Sequence, residues 1–329
     1  MNKLKLTFSC FGILSGLKFT FIKSCTFFIR EVFKVTGRKN QKLAKILRKM
    51  AQKTDTMVQD YIFIKYRDVF SKYHDQSDDG KIPIKKKIWT VWLQGEENMP
   101  YAIKLCLDSM ERQREEYELC IVTLDNIEKY LDVNPNIIKR LKNGDISFAH
   151  FTDYIRVKLL SEYGGVWLDA TQYMVKPLPK EIWEYDLLVW NKVIDITESN
   201  LYASIPFVEE FNNSFLIAKK QALFYKFATE ITEKLLFDPI LKLDYFSNFK
   251  AYFEGVKKIP ALNNEWSKML PINIYGLIPR QYWNTPMSEY VKNYIDKSNN
   301  IFFMMTYKKE WLKQVQNTIT VQEYIVENY

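Results

Sequence analysis

Lys87 to Leu93 (KIWTVWL) is almost wholly apolar after its lysine and closes at Gln94-Gly95, the pattern of a buried strand. Pro100 then marks a helix start, with helical spacing to about Arg112. Tyr117 to Leu124 (YELCIVTL) predicts a second strand, and Asp125 can cap a short helix behind it. Asp145 or Ser147 opens a longer helix through Tyr163, Gly164-Gly165 stops it, and Val166 to Leu168 forms a third strand. Strand–helix–strand–helix–strand order predicts an α/β fold with a largely parallel sheet. Beyond Pro179 the order is looser. Tyr185 to Trp190 and Ser214 to Ala218 have strand character; Ala222 to Leu236 and Leu243 to Phe253 have helical character. Short strands and a helix from Thr320 to Val326 end the chain.

Ahead of this body the pattern differs. Residues 54–73 carry helical spacing (Val58, Tyr61, Ile62, Lys65, Val69), and His74 to Gly80 (HDQSDDG) is a polar turn cluster that marks a boundary. The longest uncharged run of the N-terminal segment, Leu6 to Leu17, is short for a membrane span, which needs about 20 apolar residues. On a helical wheel Lys5, Lys23, Arg30 and Lys34 gather on one side. Leu6, Phe11, Ile13, Leu14, Leu17, Phe21, Ile22, Phe28, Ile29 and Val32 occupy the other, with Lys18, Phe19 and Phe27 breaking the pattern. A basic amphipathic helix of this kind suits an anionic membrane interface. A helix packed on the body and a signal or anchor segment are the alternatives. The division expected is a basic amphipathic arm at 1–53, a helical connector at 54–80 and one α/β domain at 81–329.

Charge sharpens that division. The chain of 329 residues has a formal net charge of +8, yet residues 1–53 hold thirteen Lys/Arg against Glu31 alone, leaving the remainder net acidic. An acidic body argues against a nucleic-acid groove. Two histidines exclude a His-rich metal centre. The four cysteines (Cys10, Cys25, Cys106, Cys120) form no C-x-x-C pair, which excludes a zinc ribbon and points to a reducing compartment.

The chemistry concentrates in Ser147 to Pro179 (SFAHFTDYIRVKLLSEYGGVWLDATQYMVKPLP). Asp153 and Arg156 are three apart on a helix and share a face. Asp169 ends the following strand, where open α/β sheets place their ligand sites. A carboxylate beside a guanidinium suits a polyol or phosphate ligand. A surface i,i+3 ion pair is the plainer alternative for Asp153–Arg156.

Thr152-Asp153-x-x-Arg156 followed by Tyr163-Gly164-Gly165-Val166-Trp167-Leu168-Asp169 resembles bacterial capsular polysaccharide synthesis proteins. These are glycosyltransferases related to glycosyltransferase family 32 and, distantly, to clostridial toxin glucosyltransferases. The resemblance runs from about Ile88 to Trp311, with Ile88 to Gly95 (IWTVWLQG) as its other strong block, and leaves the arm outside. It implies a GT-A-type, Rossmann-like nucleotide-sugar-binding domain with a mixed central sheet. The implied reaction moves a sugar from a nucleotide-sugar donor to a capsular or other cell-surface polysaccharide or glycolipid acceptor, with retention of configuration. Carried over by position, Asp153, Arg156 and Asp169 are the catalytic set, and Trp89, Trp92, Gln94, Gly164, Gly165 and Lys308 join them around the donor. A buried core tryptophan is the alternative for Trp92. Asp244 is the acceptor candidate, with a helix N-cap as its alternative.

Two departures bear on the cofactor. Asp169 matches the first residue of the family's metal-binding Asp-x-Asp, but Asp169-Ala170-Thr171 lacks the second carboxylate. Mn²⁺ or Mg²⁺ therefore rests on Asp169 and the donor's phosphates. Relatives often carry a histidine near the C-terminus, where this chain has Met304-Met305-Thr306-Tyr307-Lys308. Lys308 or Lys309 would then neutralise the leaving diphosphate. The expected site of action is the cytoplasmic face of the membrane, held there by residues 1–53. A decayed, non-catalytic transferase fold acting as a membrane-surface scaffold is the competing reading. A glycoside hydrolase would need a carboxylate pair instead.

Overall fold

A computed structural model describes residues 2–37, 40–76, 86–184, 187–190, 212–269, 275–276 and 278–329. The central sheet has the strand order β2-β1-β3-β6-β5, with β1 at Lys87–Val91, β2 at Glu118–Val122, β3 at Gly165–Leu168, β5 at Leu187–Trp190 and β6 at Asn212–Ala218. β1 pairs in parallel with β2 and β3, whereas β6 runs antiparallel to both β3 and β5. The sheet is therefore mixed: the parallel order read from the first three strands stops at β3. A second sheet joins β4 (Gln172–Met174), β8 (Phe302–Met304) and β7 (Tyr275–Gly276) in the order β4-β8-β7. It brings the C-terminal strand beside the chain that leaves Asp169. Met305 N donates to Thr171 O at 2.8 Å.

Helix α6 (Phe148–Tyr163) backs the sheet. Ser147 caps it, its Oγ accepting from His150 N at 3.2 Å. Helix α6 is buried on nearly every side, because α7 (Leu223–Leu235) covers the face that the sheet leaves open. Trp89, Trp167, Tyr154 and Phe151 lie in this core with almost no exposure.

At the N-terminus α1 (Lys3–Val35) breaks at Gly12, whose positive φ of 72° and extended ψ turn the chain sharply. Residues 3–11 fold back on residues 13–35. Phe11 and Phe19 meet at 4.7 Å, and Gly16 gives Phe8 the room a Cβ would fill. Helix α2 (Gln41–Lys65) follows, then α3 (Arg67–His74). The arm–connector boundary expected at residue 53 thus falls inside one continuous helix. Buried Leu47 and Ala51 lie before it and buried Val58 and Ile62 after it, so a single apolar face spans the division. Of the polar cluster His74 to Gly80, residues 77–80 lie outside the described residues.

Two buried carboxylates tie these helices to the body. Asp238 takes Lys65 Nζ at 2.7 Å, together with the Tyr61 and Tyr66 hydroxyls. Asp244 takes Lys23 Nζ at 3.0 Å and Lys250 Nζ at 2.7 Å, and Lys250 also holds Asp55 at 2.7 Å. The side of α1 carrying Lys23 therefore faces the protein. Its opposite side leaves Leu14, Phe21, Phe28 and Val35 mostly exposed.

Candidate active site

Three elements converge at the C-terminal edge of the sheet. The parallel register sets Trp89 beside Trp167, so Trp92 leaves β1 level with Ala170, next to Asp169. Along β3, alternation puts Trp167 and Asp169 on one face. That face meets α6, from which Asp153 and Arg156 project one turn apart.

The Arg156 guanidinium bridges both carboxylates. Nη1 donates to Asp153 Oδ1 at 2.9 Å and Nη2 to Asp169 Oδ1 at 3.0 Å. Its Cζ lies 4.7 Å from the centre of the Trp167 ring, whose Nε1 donates to the same Asp169 oxygen at 2.8 Å. Asn213 Nδ2 adds a donor to Asp153 Oδ1 at 3.2 Å. A solvated i,i+3 pair is excluded by burial: the Asp153 and Arg156 side chains are 8% and 6% exposed, against 27% for Asp169. Burial pushes the Asp153 carboxyl up to about 6; Arg156 pulls against that shift and Asp169 adds to it. Arg156 Nε is buried with no acceptor among the described residues. Asp169, the more open carboxylate, is the one presented to the crevice.

Trp92 is 8% exposed and packs edge-to-face on Tyr307 at 5.2 Å. Its Nε1 also lacks an acceptor among the described residues. Tyr307 carries Lys308 to the same edge, and Gln94 is exposed in the turn after β1. Tyr245 packs on His150 and feels the charges of all three site groups. Its pKa is raised, first by burial and then by the charge of Asp153, while Arg156 opposes and Asp169 adds.

Three expected donor contacts and the acceptor candidate lie elsewhere. Trp89 is fully buried and donates to Gly164 O at 2.9 Å, between the rings of Tyr130 and Tyr163, so it is core. Gly164 and Gly165 are at the opposite end of β3, about 16 Å and about 13 Å from Asp169 at roughly 3.3 Å per residue. Their positive φ of 69° and 101° turns the chain there. Any Cβ on Gly164 would sit 2.5 Å from Lys220 N. Asp244 lies in the ion-pair cluster beneath the arm, its Oδ1 accepting from Phe246 N at 3.2 Å in a tight turn. Trp167, Asn213, Tyr245 and Tyr307 were not singled out from sequence. Strand alternation puts Trp167 on the face of Asp169, whereas Asn213, Tyr245 and Tyr307 come from segments distant in sequence.

Residues 38–323 match the capsular polysaccharide synthesis protein family. The chain belongs to this family. The match takes in β1, α6, β3 and the Tyr307 segment and begins after α1. Over 164 residues the chain is 26% identical to the O-glycosyltransferase braB of Annulohypoxylon truncatum, an alignment covering 46% of this chain and 37% of that protein. The chain thus spans little more than a third of that relative. Among solved structures it is similar to PaToxG Glycosyltransferase, with a TM-score of 0.36 and 17% identity over 68% of this chain and 85% of that one. In this capsular polysaccharide synthesis protein the Asp-x-x-Arg helix and the Asp-terminated strand are brought together by direct hydrogen bonds.

Proposed function

We propose that this protein is a glycosyltransferase of GT-A type that moves a sugar from a nucleotide-sugar donor to a cell-surface polysaccharide or glycolipid acceptor. The observation that carries this reading is the buried Arg156 fork joining Asp153 to the more open Asp169 at the strand-end edge. The donor's diphosphate and sugar would lie over Asp169. The bond from the anomeric carbon to the diphosphate breaks, and an acceptor hydroxyl oxygen bonds to that carbon. The hydroxyl proton leaves on a diphosphate oxygen from the same face, which retains configuration. Asp153 acts as a positioning residue: it holds Arg156, and Arg156 in turn fixes Asp169.

Negative charge builds on the departing diphosphate and needs compensation. The Asp153–Arg156–Asp169 cluster is itself net negative, so the cation must come from beyond it. Lys308 is the candidate in this chain. Mg²⁺ or Mn²⁺ also fits, since such ions commonly bind through one carboxylate plus substrate phosphates, and Asp169 would hold it. The ion would supply charge neutralisation at the leaving group. Trp92 and Tyr307 line the end of the crevice suited to the base.

The exposed apolar side of α1 would rest on an anionic membrane at its cytoplasmic face. The experiment is a panel of nucleotide sugars, with and without Mn²⁺, followed by donor hydrolysis and melting temperature. A ligand at 100 times its dissociation constant adds about 2.7 kcal/mol of stability. If no donor is bound or turned over, the protein is a scaffold with a decayed transferase site.

A further inference from the structure

A cavity of about 760 Å³ separates the folded-back arm from the body. Lys3, Lys23, Arg30 and Lys250 line it, against the carboxylates of Asp55 and Asp244. Lys23 and Lys250 are spent on those two carboxylates. Lys3 has no ion pair among the described residues, and Arg30 meets only exposed Glu31, which it shares with Lys34. The cavity thus holds two cations more than it has anions, the charge of one phosphate dianion.

Its rim is mixed, with two apolar side chains among exposed Asn2, Lys3 and Ser24. Phe27 and Leu4 line the cavity and are 59% and 42% exposed. Arg30 lies over the Phe27 ring at 5.1 Å and Lys23 over the Phe19 ring at 5.4 Å, so each cation is held against an aromatic surface. A hydrophilic anion would gain the charges but waste these rings. An anion with an apolar tail would use both, its tail continuing onto the exposed side of α1.

The inner wall leads to the active site. Tyr245 lines the cavity, and its carbonyl lies 3.2 Å from His150 Nε2. His150 is one turn ahead of Asp153 on the same face of α6. Tyr245 and His150 therefore stand between the cavity and the Asp153–Arg156–Asp169 cluster.

We propose that this cavity binds the phosphate head of a lipid, with its apolar chain leaving past Phe27 and Leu4 toward the membrane. This deepens the transferase reading, on which it rests, by naming the anchor of the acceptor: the glycan attached beyond the phosphate would pass Tyr245 to reach Asp169.

The test uses the full chain and decyl phosphate below its micelle concentration, with decanol and inorganic phosphate as controls. No donor is present, so loss of transferase activity cannot mimic failure of the site. Calorimetry should show decyl phosphate binding at least about tenfold more tightly than either control, since each control lacks one half of the interaction. Arg30→Gln and Lys3→Gln should each weaken it several-fold. Lys142→Gln, an equal loss of charge on another helix, should leave it unchanged. Lys23→Gln should weaken it too. Because that change also removes a partner of Asp244, the two more exposed variants decide if it fails to fold. Equal binding of inorganic phosphate would overturn the lipid, and equal binding of decanol would overturn the phosphate. The same loss in Lys142→Gln would reduce the effect to bulk charge.

Discussion

Arg156 and Asp169 are thirteen residues apart in sequence and 3.0 Å apart in space, joined from Nη2 to Oδ1 in a buried cluster. The same guanidinium holds Asp153, so one side chain fixes two carboxylates. Arg156→Lys supplies the charge without the planar fork and cannot make both bonds in that geometry. It should lower kcat/KM by about a hundredfold or more, given that charge-assisted hydrogen bonds are worth about 1.5–3 kcal/mol each. Steady-state kinetics check this; near-normal activity would demote the bridge to a structural role.

Asp169→Asn keeps the shape of the side chain and removes its charge. Asp169 is partly open, so the fold should survive with a melting temperature within a few degrees of the parent. Transfer and donor hydrolysis should fall below detection. A collapse in melting temperature alongside activity would mark Asp169 as a structural carboxylate.

Asp153 carries a pH signature. Its folded value of about 6 lies above the ordinary 3.8, first because it is buried. Between those values the folded state binds more protons than the unfolded one, so this group's contribution to stability falls as pH rises from about 4 to 6. Activity should run the other way, rising through pH 6 as the carboxylate ionises and grips Arg156. Asp153→Asn should weaken activity and abolish that acidic limb. A limb that persists in the variant would assign it to another group.

Asp244 shows the opposite shift. Burial raises its carboxyl, but Lys250 and then Lys23 outweigh this and hold it at about 2. The stability from this cluster is present above pH 3.8 and is lost as pH falls toward 2. Tryptic cleavage within residues 3–35 should therefore accelerate after brief incubation near pH 2.5. In Asp244→Asn the cleavage should already be faster at neutral pH.

Phe21 and Phe28 are 70% and 69% exposed on the outer side of α1. The double change Phe21→Glu, Phe28→Glu should abolish co-sedimentation with acidic vesicles while leaving the melting temperature unchanged. A point change suits this test better than deletion of residues 1–53, which would cut through α2 and remove the core residues Leu47 and Ala51. Undiminished sedimentation would mean that α1 does not carry membrane binding.

Gly164→Ala tests the strand turn. At φ 69° and with Lys220 N in the way, alanine should cost about 1–3 kcal/mol, read as a lower urea midpoint. Activity per folded molecule should be unchanged, because this turn is at the far end of β3 from Asp169.

What the sequence determined by itself was local. Continuous apolar runs marked β1, β2 and β3, Ser147 and Gly164 bracketed α6, and the motif spacing placed Asp153, Arg156 and Asp169 at one crevice. Those are consequences of backbone period and of a few residues' torsional limits, which act over short stretches of chain. The tertiary structure decided everything that depended on partners distant in sequence. The tryptophan pair Trp89 and Trp92 looks alike in sequence, yet strand register sends one to the Gly164 carbonyl and the other to the crevice edge. Asp244 became a latch because α1 brings Lys23 across 221 positions to meet it. The basic side of the arm, which composition assigned to lipid, faces the body, because a buried carboxylate draws a lysine inward and leaves the apolar side of the helix outside.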